Sequence, residues 1–237
     1  MAEGRRILQP KTVFFLLVLS ALILASVWSF VQADAKKVSA ACSTHTLVID
    51  PGHGGFDGGA VSDDGTKESD LNLVIALKMR ALAELLGQNT VLTRSDDASR
   101  TEYASYSEHD DLVRRTELIN DTPGAILFSI HQNDFPTGQP SGSQVFYSAW
   151  AGSETLGRLT HDNLIRCLDP QNRRVAEPAP KALYITSRSQ CPSILVECGF
   201  MSNNFDVLKL CDEKYQTSLS VVMLASLLQY LSGMEKG

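Results

Sequence analysis

Residues 46–55 read TLVIDPGHGG, a short apolar and β-branched run followed by a turn rich in glycine. The run predicts a strand over Thr46–Asp50, and Pro51-Gly52 predicts its end. Glycine after the strand lets the backbone bend sharply and come close to a ligand. His53 is the one side chain of this turn that is suited to bind a transition metal at neutral pH. The segment therefore predicts a strand that leads into a functional loop.

The rest of the chain alternates short apolar runs with longer helical patterns. Further strands are predicted at Thr90–Thr93, Ala125–Ile130, Gln144–Tyr147, Leu183–Ile185 and Ser193–Val196. Helices are predicted over Ser69–Leu86, Leu112–Asn120, Glu154–Leu168 and Tyr215–Leu231. The polar segments 95–111 and 169–181 are predicted to be surface loops. Strands alternating with helices imply βαβ units, so we predict an α/β fold with a largely parallel sheet covered on both faces.

The N-terminal segment predicts export from the cytoplasm. Residues Val13–Val31 form an apolar run of nineteen without a charge, and basic residues precede it. Such a run is long enough for a membrane anchor, while Val31–Ala33 also suits cleavage of a signal peptide. Both readings place the remaining chain outside the cytoplasm. We therefore divide the chain into a signal or anchor segment (1–33), a polar linker (34–43) and one folded domain (44–237).

Length and charge restrict the class of protein. About two hundred residues remain after the first 33 residues of the 237, enough for one domain with a sizeable core. The net charge is −6, and because the first 33 residues contribute +2, the remainder carries −8. An acidic body argues against a nucleic-acid partner, whose phosphates bind Lys and Arg.

The cysteines do not indicate a disulfide framework or a zinc ribbon. Five of them, Cys42, Cys167, Cys191, Cys198 and Cys211, are scattered and lack close pairing. Cys191 and Cys198 flank a predicted buried strand and are interpreted as core residues.

Four ionisable residues follow predicted strands or begin a predicted helix: His53, Glu68, His131 and Glu197. Two histidines and one carboxylate make a hydrolytic zinc site that retains a water. A second carboxylate can take a proton from that water and return it to a leaving amine. Zinc is favoured over copper or iron because no soft or redox-tuned ligand set is present. Each residue taken alone also has a purely structural explanation. His53 and His131 could be surface groups, Glu68 a helix-start carboxylate and Glu197 an ion-pair partner.

Three motifs resemble the zinc-dependent N-acetylmuramoyl-L-alanine amidases of the amidase-3 type: IDPGHGG at 49–55, SIH at 129–131 and VECGFMSN at 196–203. Within that family the chain is most similar to the germination-specific spore-cortex amidases. The resemblance implies a single domain with a twisted, mostly parallel sheet of about six strands and helices on both faces. It implies hydrolysis of the amide between N-acetylmuramic acid and L-alanine of the stem peptide. In the cortex, this is the first step toward muramic δ-lactam.

The resemblance also implies roles for single residues. His53, Glu68 and His131 match the zinc ligands, Glu197 matches the catalytic glutamate, and Arg115 matches an arginine with a structural role. We expect peptidoglycan to be the substrate and the N-terminal segment to be the link to the membrane. Whether a protein activator is needed is left open by the sequence.

Two departures from the family pattern stand out. Asp134 occupies a position where the family commonly has alanine, and it is interpreted as facing solvent. The loop 132–143 is too short to hold a helix that blocks the metal, as some relatives have. An inactive wall-binding protein of the same fold and a zinc exopeptidase remain as alternative functions.

Overall fold

The computed structural model describes residues 44–97, 107–137 and 140–234, together with six positions between residues 20 and 29. Apart from those six positions, the predicted anchor or signal segment lies outside the described residues, and so does the linker 34–43. The division of the chain at residues 33 and 43 therefore stays a prediction.

One six-stranded sheet organises the domain. Its strands are β1 (Thr46–Pro51), β2 (Asn89–Leu92), β3 (Ala125–Asn133), β4 (Gln144–Tyr147), β5 (Glu177–Pro178) and β6 (Ser193–Phe200). Their order across the sheet is β2-β1-β3-β6-β4-β5. Only the pair of β4 with β6 is antiparallel among these strands, and every other pair is parallel. The predicted α/β class with a mostly parallel sheet of about six strands is confirmed.

Helices cover both faces of the sheet. They are α1 (Glu68–Leu85), α2 (Glu108–Asn120), α3 (Ser153–Leu168), α4 (Tyr184–Arg188), α5 (Asn204–Leu210) and α6 (Glu213–Met234). Successive strand residues point to opposite faces, so Ile49 packs in the core with α1, α3 and α6, while Val48 packs with α2 and α4. Burial on both sides explains why the central strands read as continuous apolar runs.

Helix α6 is long and apolar enough to cross a membrane, and no other helix among the described residues is. It packs against α1 and α3, and Leu219, Met223 and Leu227 are fully buried or nearly so. These contacts are those of a core helix.

Two predicted elements differ from the structure. The strand predicted at Leu183–Ile185 is wrong, because Tyr184 begins α4 and the hydroxyl of Ser189 donates to the Ile185 carbonyl one turn earlier. The sixth strand is instead β5, which lies within the predicted loop 169–181. Its proline is tolerated because β5 is an edge strand.

The sequence also missed two helix starts. Helix α2 begins at Glu108, inside the segment predicted as a loop, because Ser107 accepts a hydrogen bond from the Asp110 amide. Helix α5 was not predicted, although Asn203 caps it by accepting from two backbone amides. Four described cysteines are free thiols, and Cys191 and Cys198 are buried as predicted.

Candidate metal centre and active site

The sheet brings two histidines and one glutamate together. β1 and β3 run parallel as neighbours, so the residues that follow β1 and end β3 lie at one edge of the sheet. His53 Nε2 lies 3.3 Å from Glu68 Oε2, and His131 Nδ1 lies 3.1 Å from Glu68 Oε1. One ligand atom of each residue lies within 4.8 Å of the other two.

This arrangement fits a metal ion. Nitrogen and oxygen ligands around a tetrahedral ion, at about 2.0–2.1 Å from it, lie about 3.3–3.5 Å from one another. Each histidine lies near that spacing from one oxygen of Glu68, at 3.3 and 3.1 Å, and the three ligand atoms lie within 4.8 Å of one another. The donor set of two imidazoles and one carboxylate also suits a borderline transition metal.

The turn after β1 requires glycine and an unusual histidine backbone. His53 has φ 59°, in the left-handed region that few non-glycine residues adopt. A Cβ on Gly52 would overlap the imidazole of His131, and a Cβ on Gly59 would lie 2.6 Å from Glu68 Oε2. The two glycines therefore leave the space into which the candidate ligands fit.

Asp57 orients the first histidine. Its Oδ2 lies 2.6 Å from His53 Nδ1, and its Oδ1 accepts a hydrogen bond from the Gly59 amide. A carboxylate on one imidazole nitrogen directs the other nitrogen toward a metal and fixes its tautomer. Asp57 was not predicted from the sequence. Its position four residues after His53 was the one signal that it could contact that histidine.

Glu68 is held by three donors. The Ala60 amide donates to Oε2, while the Gln132 amide and the Asn72 side chain donate to Oε1, at 3.0, 3.0 and 3.3 Å. Asn72 also donates to the Gly52 carbonyl, which ties α1 to the glycine turn. Asn72 was not predicted from the sequence.

A buried ion pair lies beneath the turn. Asp50 is fully buried and accepts hydrogen bonds from Thr93 Oγ1 at 2.6 Å, Ser129 Oγ at 2.7 Å and Arg115 Nη1 at 3.2 Å. Burial opposes the charge of Asp50, but Arg115 and the two hydroxyls outweigh it and lower its pKa. Asp111 is the second acceptor, 2.7 Å from Arg115 Nε.

Two arginines brace the backbone of the turn. Arg115 donates to the carbonyls of Pro51 and His53, at 2.8 and 2.6 Å. Arg94 donates to the carbonyls of Pro51 and Gly52, at 2.9 and 3.0 Å. Contacts to the backbone support a positioning role for Arg115, while Arg94 was not singled out from the sequence.

Glu197 lies beside the candidate ligands. It faces His131 in the parallel register of β3 and β6, so both side chains leave the same face of the sheet. Its side chain is 9% exposed, and among the described residues no group donates a hydrogen bond to Oε2. Burial raises the pKa of Glu197 to about 7, although the positive charge of His131 works in the opposite direction.

The ligand set attracts positive charge. Burial disfavours a charged His53, yet hydrogen bonds to Asp57 and Glu68 outweigh it and raise the pKa of His53 to about 10. Burial likewise disfavours the Glu68 carboxylate, but His131 and His53 lower the pKa of Glu68 well below its usual range. The carboxylates of Asp57 and Glu68 therefore favour positive charge at this cluster.

Two neighbouring residues play no part in this cluster. Asp134 is exposed, in agreement with the prediction that it faces solvent. Cys198 packs in the core on the face opposite to Glu197, and burial raises the pKa of its thiol.

A mostly parallel α/β sheet with this donor set and a second carboxylate at one edge is typical of a metal-dependent hydrolase. Residues 47–228 match the model of the N-acetylmuramoyl-L-alanine amidase family, Amidase_3, and the chain belongs to that family. It is 31% identical over 233 residues to the germination-specific N-acetylmuramoyl-L-alanine amidase of Bacillus subtilis, and the alignment covers 96% of each chain.

Two solved structures share the fold. The CwlD amidase of Clostridioides difficile, in complex with the GerS lipoprotein, is similar with a TM-score of 0.75 and 35% identity, over 80% of this chain and 99% of that chain. The amidase AmiC2 of Nostoc punctiforme gives a TM-score of 0.67 and 29% identity, over 79% and 97% of the two chains.

The predicted family and reaction are confirmed: the chain is a peptidoglycan N-acetylmuramoyl-L-alanine amidase. Its relatives among the cell-wall amidases imply a location outside the cytoplasm.

Proposed function

We propose that His53, Glu68 and His131 bind a zinc ion and that Glu197 carries the proton during amide hydrolysis. The observation that supports this most strongly is the approach of three ligand atoms to within 4.8 Å, in a cluster whose neighbour across the sheet is Glu197. Two nitrogen donors and one oxygen donor form the ligand set of many hydrolytic zinc sites. When bound, zinc polarises the amide carbonyl and lowers the pKa of a water toward about 7.

Glu197 is suited to accept the proton of the attacking water. Its buried Oε2 lacks a donor among the described groups, so a water beside the metal ligands can donate to it. The water oxygen bonds to the lactyl carbonyl carbon, and its proton passes to Glu197. Glu197 then gives that proton to the alanine nitrogen as the carbon–nitrogen bond breaks. The products are a muramic acid carboxyl group and a free amino terminus on L-alanine.

Replacing Glu197 by glutamine tests this role. Removal of a general base should lower kcat by about 10²- to 10⁴-fold while the metal content stays unchanged. Mass spectrometry of wall fragments measures the reaction through new L-alanine amino termini on intact glycan. Asp134→Asn is the matched control, because Asp134 is an exposed carboxylate close in sequence to His131, and it should retain activity.

Full activity in Glu197→Gln would show that another group carries the proton. An inactive wild-type chain that still binds peptidoglycan would support a wall-binding role, and release of terminal amino acids would identify an exopeptidase.

We also propose that the amidase acts on spore cortex, since relatives that span most of this chain include germination-specific and sporulation-specific amidases. Deletion of the gene should remove peptide-free muramic acid and muramic δ-lactam from the cortex, as measured by muropeptide analysis. An unchanged cortex with an altered vegetative wall would contradict a cortex role.

A membrane link and a protein partner complete the proposal. The apolar run Val13–Val31 would anchor or export the domain, and mass spectrometry of the mature N-terminus distinguishes the two. The similar CwlD amidase is in complex with a lipoprotein, which supports a protein partner here. Failure of the matching lipoprotein to bind the purified chain would argue against one.

A further inference from the structure

A second feature of the same sheet edge is a cavity of about 390 Å³. It lies between the chain that enters β4 and the segment that precedes β5. Its lining is polar and comprises Ser141, Asp169, Gln171, Asn172, Arg173 and Arg174. No element of the proposed reaction uses these residues.

Arg174 is held in place at this cavity. Its Nη1 donates to Gln144 Oε1 at 2.8 Å, and its guanidinium lies 4.6 Å from the centre of the Phe200 ring. The other end of the Gln144 amide donates to the Val175 carbonyl, so Gln144 cannot turn away without losing that bond. Within the described ranges no carboxylate pairs with Arg174. A cation fixed by its neighbours but lacking an anion is prepared to receive one.

The sheet connects Arg174 to the reaction site. Gln144 faces Glu197 in the antiparallel pair of β4 with β6, and Glu197 faces His131 in the parallel pair with β3. Directly opposed side chains leave the same face with Cβ atoms about 5 Å apart. The row His131, Glu197, Gln144 and Arg174 therefore places the guanidinium about 10–15 Å from the candidate metal ligands.

We propose that Arg174 binds a free carboxylate of the stem peptide and thereby selects acidic stems. The inference rests on the proposed function, because Glu197 and the metal ligands fix where the scissile amide lies. A stem peptide spans about 3.5 Å per residue when extended. On that scale the candidate groups are the α-carboxylate of D-glutamate at its second position and the side-chain carboxylate of diaminopimelate at its third. Asp169 lines the same cavity and repels a carboxylate of the stem peptide. Binding of that carboxylate therefore needs Arg174 to offset the like charge.

The test compares muropeptides that differ only in amidation. One substrate carries both carboxylates free, one has the D-glutamate carboxylate amidated, and one has the diaminopimelate carboxylate amidated. For the wild-type full chain in detergent micelles, amidation of the group that Arg174 binds should raise KM about 10- to 100-fold with kcat unchanged. The amidated substrate whose KM rises identifies the carboxylate that Arg174 binds.

For the substrate with both carboxylates free, Arg174→Gln should raise KM by the same factor. The KM of this variant should not change when either carboxylate is amidated. Arg158→Gln is the control, because Arg158 is an exposed arginine on α3 that does not line the cavity. Thermal unfolding of each variant checks that the fold is kept, and the comparison of substrates on wild-type enzyme stands even if Arg174→Gln fails to fold.

A binding measurement separates this inference from the proposed reaction. Calorimetric titration of Glu197→Gln with the same muropeptides should show weaker binding of the amidated one, whatever the outcome for catalysis. Equal affinity for all three muropeptides, or an equal KM for wild type and Arg174→Gln, would overturn the inference. Loss of all activity in wild type would instead count against the proposed function.

Discussion

Replacement of Asp50 by asparagine is expected to destabilise the domain strongly and to loosen the metal-binding turn. Asp50 is fully buried and Arg115 is 4% exposed, so the pair is shielded from water. The substitution keeps the shape of the side chain but removes its charge, and it leaves the guanidinium with Asp111 as its remaining carboxylate. Arg115 in turn supports the carbonyls of Pro51 and His53.

The expected size follows from burial. Removing one partner of a buried pair costs about 3–5 kcal/mol because the other charge stays buried. The lower end applies here, since Asp111 still accepts from Arg115 Nε at 2.7 Å. A domain of this size loses about 2–4 °C in Tm per kcal/mol, so Tm should fall by roughly 6–12 °C.

The pH dependence gives a second signature. The folded pKa of Asp50 lies below its ordinary value of 3.8. Its contribution to stability is therefore complete above that value and is lost as the pH falls through the folded pKa. The stability difference between wild type and Asp50→Asn should be full at about pH 7 and should begin to shrink once the pH falls below 3.8.

Urea unfolding followed by circular dichroism measures both effects. Asp111→Asn is the control, because Asp111 is partly exposed and its loss should cost about 1 kcal/mol or less. In the double variant Asp50→Asn/Arg115→Met the loss should be smaller than the sum of the single losses. A loss below about 1 kcal/mol for Asp50→Asn, or a difference that does not change with pH, would refute the role given to this pair.

Two further substitutions test the turn and the helix that sequence reasoning missed. Gly52→Ala should abolish metal binding with little loss of helical signal, because the new Cβ overlaps the His131 ring. Gly233→Ala is the control and should keep the metal, because its Cβ would meet no other group. Equal metal content in both variants would contradict the close packing at Gly52. Asn203→Ala should lower the free energy of unfolding by about 1 kcal/mol, because the α5 cap is lost. Asn204 is an exposed neighbour, so Asn204→Ala should lower it by less than about 0.5 kcal/mol. Equal urea midpoints for these two variants would argue against the cap.

The sequence predicts the parts of the site that follow strong local patterns. Ala125–Ile130 is a continuous apolar run, so its end marks the position of His131 at the edge of the sheet. The same holds for β6 and Glu197. Parallel strands bring their ends to one edge, so local patterns place His53, His131 and Glu197 together. Glu68 joins them because it begins α1, the helix that follows β1.

Residues whose roles depend on distant partners could not be predicted in this way. Asn72 donates to the Gly52 carbonyl, twenty residues away in sequence, and Arg94 braces a turn more than forty residues away. The short strand β5 escaped notice because two residues carry too little pattern, while Leu183–Ile185 imitated a strand through its apolar composition. Tertiary contacts decide such segments, and local propensity does not.

The most direct test of the metal centre is the zinc content of four purified proteins, measured by mass spectrometry after dialysis against trace zinc. Wild type should hold about one zinc ion per chain, and His53→Ala, Glu68→Gln and His131→Ala should each lose it while keeping their circular dichroism spectra. Zinc retained at the wild-type level by any two of these variants would contradict a shared site.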